Sequence, residues 1–228
     1  MNSQQLHSDL ARWGAWAGIA ALICYFGAAF IPLPDALVEV MAMAFGPLLA
    51  LSFLGIYAAV RAHRNSVPLV FGTVLGVAAG IAVNLMLTIQ LANNSLYEPG
   101  EGADASGAAI EAGELVWRAV NRVQFSIDVS WDVFICAAGV LVGIAMLRHP
   151  KFGKPFGLSG ILLAMLLLVL NLYTFPIAPA YAGLVDVGPF YALWFLAVFV
   201  RILMSGPWMR SSGAVSYTHL TLPTNREV

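Results

Sequence analysis

Six stretches of the chain are apolar over the length of a membrane crossing, separated by short polar or Pro- and Gly-bearing breaks, and this pattern predicts transmembrane helices. Trp13 to Ile31 is free of charge, follows Arg12 and ends at Pro32 and Pro34. It is longer than the roughly 7 to 15 apolar residues of a signal peptide, so it reads as a retained first helix. The predicted spans fall at about 13–31, 40–60, 67–91, 123–147, 156–175 and 187–204, within a single domain over 1–214. Residues 93–122, with Pro99, several glycines and the acids Glu98, Glu101, Asp104 and Glu111, read as the one sizeable loop, turning helical between Ile110 and Arg122. The expected fold class is therefore all-α: a polytopic bundle of six transmembrane helices.

Composition sharpens this picture by exclusion. Of 228 residues, 60% are hydrophobic and only 10% charged, and the mean hydropathy is +0.83. A water-soluble domain of this size does not carry such a balance. The lipid bilayer is thus the expected partner. With a net charge of −1 the chain lacks the basic surface that nucleic-acid binding needs. Cys24 and Cys136 both sit inside apolar runs, where they imply neither a disulfide framework nor a metal site.

From Val215 the text changes to VSYTHLTLPTNREV, polar and β-branched, with no relation to the helix-period sequence before it. Its first residues resemble one reading frame of a transposase-end adaptor used in sequencing libraries. Residues 215–228 are accordingly expected to be a non-native tail and take no part in the fold reasoning.

Orientation follows from the cationic residues, because Lys and Arg resist translocation. With six spans, Arg12, Arg61, Arg64, Arg148, Lys151, Lys154, Arg201 and Arg210 share one side and only Arg118 and Arg122 lie opposite. Both termini are then expected in the cytoplasm, with the 93–122 loop outside.

Gly72, Gly76 and Gly80 recur every four residues up to Asn84, and Gly139 with Gly143 forms a shorter stripe. Small residues at this spacing let helices approach closely. They suit packing within the bundle or, alternatively, a homo-oligomer or membrane partner.

Polarity inside the bilayer is where function should be written, since a charge there costs at least about 2.5 kcal/mol on insertion. Asp128 and Asp132 are the only acids within a span, and their spacing of four places both on one helix face, which Gln124 extends outward. At about 1.5 Å per residue, Asp132, Asn84 and Asn171 lie roughly 22, 25 and 22 Å above the cytoplasmic ends of their spans. They therefore share a layer in the outer leaflet. One reading has these three residues hydrogen-bonding one another to fix register, with Asp128 reaching water or Arg122. The other makes Asp128 and Asp132 the core of an outward-facing polar pocket for a cation, a proton or a polar small molecule.

Catalytic signatures are absent: no span contains a histidine, and neither metalloprotease, nucleophile-elbow nor phosphate-loop motifs occur. No enzyme activity, cofactor or metal is expected. The run SWDVFICAAGVLVGIAMLRHPKFGKPFGLSGIL from Ser130 to Leu162, with LNLYTFPIAP and DVGPFYALWFLAV after it, resembles bacterial six-helix membrane proteins of the domain of unknown function 4386 family. That resemblance implies a bacterial inner-membrane setting and this architecture, and brings no site to transfer. The functional expectation is a structural or partner-binding membrane component, with a small transporter or solute sensor as the alternative.

Overall fold

A computed structural model describes residues 3–95, 107–177 and 185–204. All regular structure among them is helical: α1 (Ser3–Phe30), α2 (Asp35–Arg61), α3 (Val67–Ser95), α4 (Gly107–Met146), α5 (Gly153–Leu172) and α6 (Gly188–Leu203). Five of the six, α1 to α5, are long and apolar enough to cross a membrane, which makes the chain a membrane protein. The 16 residues of α6 rise only about 24 Å, somewhat short of a hydrocarbon slab of about 30 Å. The tail at 215–228, and with it Arg210, lies outside the described residues.

Within segment 93–122 the helix expected between Ile110 and Arg122 is present, and it runs on without a break into the fourth span. Helix α3 continues to Ser95, and α4 starts at Gly107, giving a 40-residue helix of about 60 Å, twice the thickness of the hydrocarbon. The reason is local. Glu111, Glu114, Arg118 and Arg122 recur at three- and four-residue spacing, and Arg118 Nη2 meets Glu114 Oε2 at 3.1 Å across one turn. Asn93, almost wholly buried, then ties the two long helices together by donating to Asn121 Oδ1 at 2.9 Å and to the Trp117 carbonyl.

The helices pack in chain order around a ring, α6 returning to α1, with α2 and α6 also touching across it. Their outer faces expose Ile23, Val74, Ile81, Leu162 and Leu193, which water would penalise and lipid accepts. Close approach depends on glycine. At the α1–α2 crossing a methyl on Gly14 would come within 2.6 Å of the Gly55 nitrogen, so the two backbones are in direct contact. The stripe on α3 is used in the same way inside the chain. Gly72 faces Val142 and Leu141 of α4, Gly76 receives the Phe53 ring of α2, and Gly80 lies against Gly46 and Ala50 of α2. On α4, Gly139 makes room for the Tyr191 hydroxyl and Gly143 for the Gly157 carbonyl and Ile161. Each stripe is thus occupied by neighbours in the same chain.

One end of the ring collects the basic residues that close α2, α4 and α6. There the α4–α5 turn is held by His149, whose Nδ1 accepts from the backbone N–H of Lys151 at 3.1 Å and of Phe152 at 3.4 Å. An imidazole nitrogen accepts only when unprotonated. Burial, His63 at a ring distance of 5.3 Å and Lys151 push the His149 pKa down to about 4, which keeps it in that form at neutral pH. Gly153 completes the turn with φ of +64°, a left-handed conformation that glycine adopts without strain. Arg201, near the end of α6, donates from Nε to the Lys151 carbonyl at 3.1 Å.

Candidate functional site

At the opposite end of the ring, α4 carries Asp128 and Asp132 one turn apart and facing inward, as their spacing requires. Asp132 is 5% exposed. Its carboxylate accepts from Asn171 Nδ2 of α5, which lies 3.3 Å from Oδ1 and 3.2 Å from Oδ2. The equal depth expected for Asp132 and Asn171 is thus realised as a direct contact between neighbouring helices.

Both aspartates and Asn171 border a cavity of about 450 Å³. Helices α1, α2, α4, α5 and α6 wall it, and α3 does not. It extends from the exposed Asp186, just before α6, down to Phe199, about 20 Å along the helix rise. Asp186 is fixed by accepting the Gly188 N–H at 3.0 Å. Tyr25 and Phe45, whose ring centroids lie 5.8 Å apart, form the α1–α2 side. On α6, Tyr191, Phe195 and Phe199 recur every four residues and present one aromatic face to the space. Tyr191 is anchored by donating from its hydroxyl to the Ile135 carbonyl at 3.1 Å. Gly18 lets the Phe199 ring pack directly against α1, where a larger residue would collide with it.

The polar inventory is one-sided. Asp128, Asp132 and Asp186 are the ionisable carboxylates of the lining, and no Lys, Arg or His is among its described residues. Asn171 Oδ1 and Trp131 Nε1 are buried and have no hydrogen-bond partner among the described residues, although both side chains belong to the lining. A buried donor or acceptor left in that condition costs free energy.

The remaining residues picked from sequence fall elsewhere. Asn84 does not join Asp132 and Asn171, because its face of α3 is turned to α2, where its Cβ lies against Gly46. Its depth matches but its azimuth does not. Gln124 points to α3, with Nε2 3.6 Å from Met86 Sδ, rather than extending the aspartate face into the cavity. The described residues contain no ion pair between Asp128 and Arg122. Tyr25, Phe45, Asp186 and the Tyr191–Phe195–Phe199 face join the site without having stood out in the sequence. The last carries a legible signal in its four-residue aromatic spacing, whereas Tyr25 and Phe45 become neighbours only through the packing of α1 on α2.

No protein-family model matches the chain, and no curated protein and no solved structure matches it significantly.

Proposed function

We propose that this chain is a six-span protein of the bacterial inner membrane, with both termini cytoplasmic, that binds a small polar or cationic solute in its end-opening cavity as a transporter or solute sensor. The observation carrying this reading is the cavity itself: two intramembrane carboxylates border about 450 Å³ of space instead of being packed among aliphatic side chains. That is the size range of small-molecule sites. Intramembrane acids are costly, and such residues characteristically mark solute or ion pathways. A purely structural or partner-binding role draws less support, since the glycine stripes that would have served an outside partner are filled from within.

Two contacts support the finer topology. Helix α6 follows Asp186 at the cavity end and carries Arg201, which bonds Lys151 in the basic turn at the other end. These contacts support reading α6 as the sixth span despite its length. The basic end, with Arg61, Arg64, Arg148 and Lys151, then faces the cytoplasm and the cavity faces outward.

The test is accessibility. Ala192, on the cavity wall, is replaced by cysteine in a chain that also carries Cys24→Ala and Cys136→Ala. Spheroplasts are then treated with a membrane-impermeant cationic methanethiosulfonate. Modification before permeabilisation is the expected result. Reaction only after permeabilisation, or none in a correctly inserted protein, would overturn the outward-open cavity.

A further inference from the structure

We infer that the ligand of the cavity is an organic ammonium ion with an apolar, aromatic-sized body. This inference rests on the solute-binding reading and adds the ligand's chemical class.

Charge comes first. Three carboxylates border the space and no cationic side chain among the described lining residues opposes them. The Asn171 amide donates to Asp132 but supplies no charge. A bound cation would supply the counter-charge that the described lining lacks, and an anionic or neutral solute would not.

The walls then decide which kind of cation fits. A hard metal ion prefers about six or more oxygen ligands at close range, and no three His, Cys, Asp or Glu side chains converge in that way among the described residues. Instead the carboxylates share the lining with rings: Tyr25 and Phe45 from α1 and α2, Trp131 from α4, and Tyr191, Phe195 and Phe199 along α6. Aromatic faces attract an alkylammonium group and pack against its hydrocarbon, and they do little for a small hydrated ion.

Hydrogen bonding narrows the class again. Asn171 already serves the Asp132 carboxylate through Nδ2, and its Oδ1 has no donor among the described residues. An ammonium N–H can donate to the Asp132 carboxylate, which a quaternary nitrogen cannot do. The fitting ligand is thus a protonated primary or secondary amine whose head lies at Asp128, Asp132 and Asn171 and whose body extends toward Phe195 and Phe199.

The probe is 2-phenylethylammonium, with 2-phenylethanol as the neutral analogue of the same size and 3-phenylpropanoate as the anionic one. Binding to the purified full chain in lipid nanodiscs is measured by equilibrium dialysis, with empty nanodiscs subtracted. Saturable binding of the amine is expected, with the alcohol weaker by about tenfold or more and the anion not competing. Asp132→Asn and, separately, Asp128→Asn are each expected to weaken amine binding by about tenfold while both proteins still elute as folded bundles. Equal binding of alcohol and amine, unchanged affinity in both variants, or no saturable amine binding would each overturn the inference. If cysteine at position 192 reacts from outside while the amine fails to bind, the open cavity stands and only the ligand class falls. If that cysteine is sealed, the cavity reading falls by itself.

Discussion

Gly80→Val is expected to yield little folded protein, and whatever is recovered should unfold with a loss of about 3 kcal/mol or more. A single methyl at position 80 would lie 2.7 Å from the Gly46 carbonyl oxygen and 2.8 Å from both the nitrogen and the Cβ of Ala50. Two of those atoms are backbone in α2, so no side-chain rotation relieves the clash and the helices must separate. Separation would also withdraw Phe53 from its place over Gly76, one turn away. Gly113→Ala provides the matched control. Position 113 lies in α4, and a methyl there meets nothing within 4 Å. That change is expected to be neutral or stabilising by up to about 1 kcal/mol through helix propensity alone. Equilibrium unfolding of both variants in mixed micelles checks the contrast, and a Gly80→Val protein as stable as the parent would contradict the backbone contact between α2 and α3.

Asn171→Leu is expected to destabilise the bundle by about 1 to 3 kcal/mol, because it strips Asp132 of its hydrogen-bond donor while leaving the acid buried. The informative partner is the double variant Asp132→Leu with Asn171→Leu. Removing both polar groups leaves two aliphatic side chains facing each other, and most of the lost stability should return. If the pair existed only to fix helix register, that double variant would be the end of its role. If the pair is the head of the proposed ligand site, the double variant should fold well and yet lose amine binding. Destabilisation in the double variant equal to or exceeding the sum of the two single changes would mean that Asp132 is held by something other than Asn171.

Much of this architecture could be read from residue pattern, because in a membrane the apolar run, its charged ends and the cost of buried carboxylates are one-dimensional signals. The bounds of α2, α5 and α6 fall within a few residues of the spans expected. Depth was legible too, since helix rise alone placed Asp132 and Asn171 in one layer, where they bond. What rise does not give is rotation about the helix axis. Asn84 shares that layer yet faces Gly46, and Gln124 sits on the aspartate side of α4 yet reaches Met86. The helical start of α4 was legible from Ile110 onward, and charges spaced by one turn, as in Glu114 and Arg118, support a helix that continues past the membrane. The cavity was the least legible feature. It is a space between five helices, lined by rings that α1, α2 and α6 bring together from distant parts of the sequence.

Whether the space beside Asp128 and Asp132 is an open site for an amine is tested most directly by protection of the cysteine at position 192. The rate at which the impermeant methanethiosulfonate modifies that residue is measured in nanodiscs with and without saturating 2-phenylethylammonium, and with 2-phenylethanol at the same concentration. Slowing by about fivefold or more with the amine, and little change with the alcohol, is the expected result. A modification rate indifferent to the amine, or slowed equally by the alcohol, would contradict it.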